Sequence, residues 1–166
     1  MAGDLTPVRL IHEAREARGF KLFCGRCGFP PGEGTASMPG SRVCASCGLG
    51  LLLEASEEAA PTPADAFLVV DSGMTVKAVS QRAERLLQAS ESHAVGRRLT
   101  DLLSPADADA RATQGFLALV LMAATGASEC QTIPVRPAGE FGIRYWARVS
   151  SCGPRSAALV VLSGME

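Results

Sequence analysis

Ala66-Phe67-Leu68-Val69-Val70-Asp71-Ser72-Gly73-Met74-Thr75-Val76-Lys77-Ala78-Val79-Ser80 is the run from which the fold is read. Five apolar residues, Ala66 to Val70, are long enough for a short strand and too short for a buried helix. Asp71-Ser72-Gly73 is a turn, because Asp and Ser bond their own backbone and Gly accepts a positive φ. Residues 74–79 alternate as a second strand, with Met74, Val76 and Ala78 on one face. Ser80 then caps a helix reaching about Gln88, since its hydroxyl can accept a backbone N–H of the first turn. Ala83, Leu86 and Leu87 are the inward side of that helix.

Reading on, Gly96 punctuates, and Leu99, Leu102 and Leu103 mark a short helix. Ser104-Pro105 reads as a helix start, with Asp107 and Asp109 favourable to the helix dipole. The long helix begins there, or after a break near Asp109. It runs through Phe116, Leu117, Val120 and Leu121 and stops at Gly126, which suits the left-handed position after a helix. Three strands follow, over 128–135, 141–150 and 156–162, with turns at 136–139 and 152–155. In the middle strand Ile143, Tyr145, Ala147 and Val149 point one way, toward the core. Arg144, Trp146, Arg148 and Ser150 point the other.

Two strands, several helices and three hairpin-linked strands, in that order, resemble the PAS domain family over residues 64–166. The matching text is Phe67 to Asp71 with Gly73, the Ser80-capped helix, and Val95-Gly96-Arg97-Arg98-Leu99-Thr100-Asp101-Leu102-Leu103. The resemblance implies an α+β fold: a PAS-like five-stranded antiparallel sheet with helices on one face. It also implies a signalling module that binds a small molecule in its core or mediates protein contacts. No haem or flavin is expected. The stretch 111–125 has no histidine to serve as a haem ligand, and His93 sits in a polar stretch facing solvent. The Gly-x-Asn-Cys-Arg run of the flavin-binding members is missing. Phe116, Val120, Ile133, Tyr145 and Val149 are the candidates for lining an apolar pocket, with a filled core as the default reading.

Upstream, residues 54–63 are acidic, small and proline-tipped, and read as a linker. Before them stand Cys24-Gly25-Arg26-Cys27-Gly28 and Cys44-Ala45-Ser46-Cys47-Gly48, two C-x2-C pairs separated by sixteen residues. That spacing is the pattern of a four-thiolate zinc site. Two intervening residues let one turn aim both sulfurs at one metal. With Cys24, Cys27, Cys44 and Cys47 all bound, no position is open for substrate, so the Zn2+ is structural. Residues 20–50 resemble the zinc ribbon family, and the ribbon as a unit is placed at 20–53. Cys130 and Cys152 read as small buried hydrophobes. Residues 1–19 form a helical candidate capped by Thr6, whose Leu10, Ile11, Ala14 and Ala17 face covers the ribbon or a partner.

Composition bounds the function. A net charge of −1 gives no global attraction to nucleic acid or membrane. The longest apolar run, 116–124, is half of a membrane span. The chain starts without a cationic, apolar leader, which points to the cytoplasm. No Ser/His/Asp set, phosphate-cradling loop or paired carboxylate marks an enzyme. The expected role is a non-enzymatic signalling adaptor that acts through protein partners. A homodimer through the sheet face carrying Arg144, Trp146 and Arg148 is one form of it, since Trp and Arg are enriched at interface hot spots. The competing reading is a transcriptional regulator that binds nucleic acid through the ribbon. Lys21, Arg26 and Arg42 stand there against Glu33 and the roughly two negative charges of a zinc tetrathiolate, which makes nucleic acid the less favoured partner. The Leu49-Gly50-Leu51-Leu52-Leu53 run is too apolar to stay in water and is expected to clamp the ribbon onto the sheet.

Overall fold

The strand Ala66–Val70 is buried at every residue, which a one-sided sheet does not allow. In the computed structural model, which describes residues 19–31, 41–107, 109–126 and 129–164, both faces of this strand are covered. The helical segment expected over residues 1–19 lies outside the described residues, Gly19 apart, as does Glu33.

The strands are β1 (Phe20–Cys24), β2 (Leu52–Ser56), β3 (Ala66–Val70), β4 (Val76–Val79), β5 (Leu103–Pro105), β6 (Gln131–Pro137), β7 (Tyr145–Gly153) and β8 (Ala157–Gly164). The helices are α1 (Gln81–Leu87), α2 (Glu91–Ala94) and α3 (Ala110–Ala124), with a 3-10 turn at Leu99–Asp101. β4, β3, β8, β7 and β6 lie side by side in that order, all antiparallel. This five-stranded sheet, with helices on one face, is PAS-like. β7 carries β8 along one edge. Its other edge is shared, with β6 alongside Tyr145 to Val149 and β2 alongside Cys152 and Gly153.

The alternation of each strand assigns its faces. Ala66, Leu68 and Val70 of β3, with Ala158, Val160 and Leu162 of β8 and Ala147 and Val149 of β7, join the helices in the main core. Phe116, Val120, Ala123 and Ala124 are what α3 contributes to it. Phe67, Val69, Leu159, Val161 and Cys152 face the opposite way. They are covered by Phe23, Ala55 and Ala59, with Leu53 and Ala60 at the margin. The ring of Phe23 meets Phe67 edge-on, centroids 5.6 Å apart, the favoured aromatic geometry. The β1–β2 hairpin therefore leaves the edge of β7 and curls over the outer face of the sheet.

Ser80 caps α1 as its position suggested. Its hydroxyl accepts from Ala83 N at 3.2 Å and also from Phe67 N at 2.9 Å, tying helix start to strand start.

Several expectations are corrected. Residues 54–63 do not form a linker throughout: Glu54, Ala55 and Ser56 are strand, paired to β1 and β7. Ser104-Pro105 does not open a helix. It lies in β5, paired with Arg136 and Val135, and α3 starts after Asp109, whose carboxylate accepts from Ala112 N at 2.6 Å. Leu103 is likewise strand. Ile143 and Arg144 precede β7 and are exposed, so neither has a strand face. Ser150 does point outward, but it is buried because the hairpin covers that end of the sheet. Met74 is still in the turn, at φ 61°, and β4 begins two residues later.

That turn is held by Asp71, whose Oδ1 accepts from Gly73 N at 2.9 Å and Thr75 N at 3.0 Å, while Oδ2 pairs with Lys77 at 3.0 Å. Partial burial raises its carboxyl pKa, but the Thr75 N–H, Lys77 and the Gly73 N–H outweigh this and leave it lowered. A lowered folded-state pKa adds stability above the unfolded value and loses it as pH falls through the folded one. We expect Asp71→Ala to cost about 1–2 kcal/mol at neutral pH. The difference from wild type should close in acid, below the ordinary carboxylate range. Urea unfolding of both proteins across pH reads this directly.

Candidate metal centre

β1 delivers Cys24 at its last residue, and the chain then turns through Gly25, Arg26 and Cys27. Gly28 N donates to Cys24 O at 2.9 Å and closes this knuckle. The second knuckle repeats the construction, with Gly48 N donating to Cys44 O at 2.8 Å. Gly28 and Gly48 have φ of 73° and 69°, the left-handed region where glycine is unstrained. Gly25 N donates to Leu51 O at 2.9 Å and links the first knuckle to the second, while Cys44 N donates to Gly50 O at 2.7 Å within the second.

The four sulfurs of Cys24, Cys27, Cys44 and Cys47 lie within 4.8 Å of one another. Cys24–Cys47 and Cys27–Cys44 are each 3.7 Å apart. A tetrahedron with Zn–S bonds of about 2.3 Å has edges of about 3.8 Å, so the sulfurs fit a metal of that size. Arg26 N and Cys27 N approach Cys24 Sγ at 3.4 and 3.5 Å, and Gly50 N approaches Cys47 Sγ at 3.4 Å. Such N–H groups spread the negative charge that thiolates bring. A Cβ on Gly50 would fall inside the contact radius of Cys24 Sγ and at 2.9 Å from Arg26 Cβ, so only glycine fits there.

The thiols do not ionise alike. Burial pushes Cys27 up to about 12. It opposes Cys47 too, but the Leu49 and Gly50 N–H groups and the neighbouring thiols bring Cys47 down to about 7. A bound dication would offset the burial that disfavours thiolates at Cys24 and Cys27, so metal binding and proton release would be one event.

The first knuckle is docked on the PAS-like part. Arg26 O accepts from Gln81 N at 3.0 Å, at the start of α1, and the Arg26 guanidinium pairs with Glu91 of α2. A Cβ on Gly28 would stand 2.7 Å from Thr62 O. A polar cleft of about 180 Å3 lies beside Cys27, lined by Arg26, Arg82, Arg85 and Asp65 among others. Arg82 and Arg85 are exposed on the rim of this cleft, near the cysteine cluster.

The other sequence candidates fall elsewhere. Phe116, Val120 and Val149 are fully buried in the main core, with Ile133 and Tyr145 packed at its edge. Trp146 is on the outer face and exposed, beside half-buried Arg148. The cation–π pair among the described residues is Arg136 over Phe141 at 4.4 Å, away from Trp146. His93 is exposed and bonds Ser90 at 2.7 Å. Cys152 is buried and Cys130 half-buried. The leucine clamp is corrected in part: Leu49 and Leu51 are 72% and 59% exposed, Leu53 packs at the margin of the outer-face cluster, and Phe23 is the buried residue that docks the ribbon. From sequence Phe23 reads as an apolar ribbon residue suited to contact or packing and Arg26 as a ribbon cation; that they dock the ribbon, and that Gly50 must be glycine, escaped it.

No family model matches the chain, and no curated protein matches it. Solved structures are similar over the sheet-and-helix part. The PAS domain of nitrogen regulation protein NR(II) from Vibrio parahaemolyticus is 20% identical, over 61% of this chain and 89% of that one, with a TM-score of 0.45. The PAS domain of an HTR-like protein from Haloarcula marismortui is 18% identical, over 61% and 82%, at 0.47. A Rhodobacter sphaeroides LOV protein is 14% identical, over 62% and 61%, at 0.48. These likenesses concern the fold alone. The strand order and one-sided helices carry the description: a zinc-ribbon-like cysteine cluster built onto a PAS-like α+β sheet.

Gly50→Ala should weaken metal binding about 10- to 100-fold, the range seen when groups supporting metal ligands are lost. Cys44→Ala should leave an incomplete ligand set. Competition against a colorimetric chelator measures both, and wild-type affinity in Gly50→Ala would contradict the packing argument. Replacing Arg82 and Arg85 together by Gln should speed metal release several-fold at low salt and less at high salt, as screening predicts.

Proposed function

We propose that this protein is a non-enzymatic regulatory adaptor of the cytoplasm, with one structural Zn2+ held by Cys24, Cys27, Cys44 and Cys47. It acts through protein contacts made by the PAS-like sheet and the ribbon. The observation that carries this reading is the distribution of apolar surface. Trp146 is 40% exposed on the sheet's outer face, and Phe29, Val43, Leu49 and Leu51 are exposed around the knuckles. Exposed large apolar groups clustered on a rigid platform mark contact sites. A reducing compartment keeps the four thiols free for metal.

The nucleic-acid reading loses ground. Of the ribbon cations, Lys21 pairs with Glu57 at 2.8 Å and Arg26 pairs with Glu91. Phosphate contacts need clustered, available cations. Among the described residues no helix is long and apolar enough to cross a membrane.

Purified protein is expected to contain one zinc per chain by elemental analysis. Trp146→Ala should weaken partner capture or self-association at least tenfold while the circular dichroism spectrum is unchanged. Unaltered capture and sedimentation would remove the sheet face from the adaptor's surface. Tight, salt-sensitive binding of DNA or RNA would favour the other reading.

A further inference from the structure

The knuckle that carries Arg26 does not close flush on α1. Two clefts open along this seam, one of about 180 Å3 and one of about 380 Å3, and Arg26, Gln81 and Arg85 line both. Arg82 completes the smaller cleft, beside Asp65 and Cys27. The larger runs on along α1 to Gln88 and Ser90. None of these residues belongs to the main core between sheet and helices.

Three guanidiniums line this seam, and pairing within the chain does not account for them. Arg82 and Arg85 are one helical turn apart on the same side of α1, where like charges repel. Both are exposed. Among the described residues neither side chain has a hydrogen bond or an ion pair. Arg26 faces them from the ribbon. Its side chain is 20% exposed and pairs with Glu91 through Nη1, while its Nε is buried without a partner. A buried N–H that lacks an acceptor is costly. The acids of the seam are already engaged. Asp65 accepts from the Thr62 N–H and hydroxyl at 2.7 and 2.9 Å, Glu84 accepts from Glu91 N at 2.6 Å, and Glu91 holds Arg26. The seam therefore has donors in excess and no anion to receive them.

We propose that the seam between the first knuckle and α1 binds a small phosphate-bearing molecule. Its phosphate sits in the smaller cleft on Arg26, Arg82 and Arg85, and its polar body lies in the larger cleft against Gln81, Gln88 and Ser90. Guanidinium forks match phosphate oxygens bidentately. A phosphate monoester carries nearly two negative charges, which suits two unpaired arginines. The larger cleft is within the roughly 300–1,000 Å3 of small-molecule sites, and its polar lining selects a hydroxyl- or amide-bearing body over an apolar one. A nucleic-acid backbone fits less well. It needs a row of free cations, whereas these surround a single cleft and are bordered by Asp65, Glu84 and Glu91.

This site does not depend on the adaptor reading, and its test can fail while that reading stands. Calorimetric titration of the full chain, with its metal and at low salt, uses ribose 5-phosphate, inorganic phosphate and ribose as probes. Ribose 5-phosphate should bind at least tenfold tighter than inorganic phosphate, and ribose should not bind. Added salt should weaken both phosphate probes. Arg82→Gln and Arg85→Gln should each cost at least tenfold in affinity for both. Gln88→Ala should weaken ribose 5-phosphate several-fold and leave inorganic phosphate unchanged. Arg155→Gln, in the exposed turn between β7 and β8, should bind as wild type does. Circular dichroism and elemental analysis check that each variant keeps its fold and metal. The proposal is overturned if neither phosphate probe binds, if the two cleft arginine variants bind as wild type, or if Gln88→Ala leaves ribose 5-phosphate unaffected. It is also overturned if Arg155→Gln loses as much as they do, which marks diffuse surface attraction. Tighter binding of a phosphoserine peptide or a DNA oligonucleotide than of ribose 5-phosphate would overturn the small-molecule assignment.

Discussion

The contact on which the rest of the arrangement depends is the edge-on packing of Phe23 against Phe67. It turns a one-sided sheet into a two-sided one. A PAS-like sheet with helices on one face would expose Phe67, Val69, Leu159 and Val161 to water. With the hairpin laid over them, β3 is buried at every residue, and every one of its residues is apolar. Ser150 and Cys152 on β7 are drawn into the same cover. The cost of this design is that two polar atoms on that face, Arg148 Nε and Ser150 Oγ, are buried without a protein partner.

Magnitudes separate the roles of metal and packing. A structural zinc brings about 10–16 kcal/mol to a small thiolate unit. Burying one phenylalanine contributes about 1.5–3 kcal/mol, and an edge-on aromatic pair about 0.5–1.5 more. A metal bound there would decide whether the ribbon is folded, while Phe23 decides where the folded ribbon sits. Gly28 and Arg26 refine that placement. Close approach to Thr62 O excludes any side chain at Gly28, and the Arg26 carbonyl and guanidinium bind α1 and α2. Metal centre and sheet are thus one mechanical unit rather than two modules on a string.

Charge follows the same logic. Four thiolates around one dication leave an excess of negative charge. The backbone N–H groups of Arg26, Cys27 and Gly50 take part of it, and Arg26, Arg82 and Arg85 stand beside Cys27. Of these cations Arg26 is taken up by Glu91, while Arg82 and Arg85 remain exposed.

The sequence by itself determined the parts whose signals are local. C-x2-C spacing identifies ligands because the knuckle closes within five residues. Ser80 is legible as a cap because its hydroxyl reaches a backbone N–H of the first turn beyond it. The apolar run 66–70 and the alternation around Tyr145 to Val149 fix strands and inner face by period alone. Only the tertiary structure decided what covers the outer face. Glu54 to Ser56 look like linker because their strand partners are distant: β1 across the intervening ribbon, and for Glu54 and Ala55 also β7, about a hundred positions away. Ser104-Pro105 looks like a helix start because its partner strand β6 is invisible locally. Leu49 and Leu51 look like the clamp because hydrophobicity is a property of residues, whereas docking depends on direction. The β1–β2 register points Phe23 at the sheet and leaves the leucines at the knuckle tip in solvent.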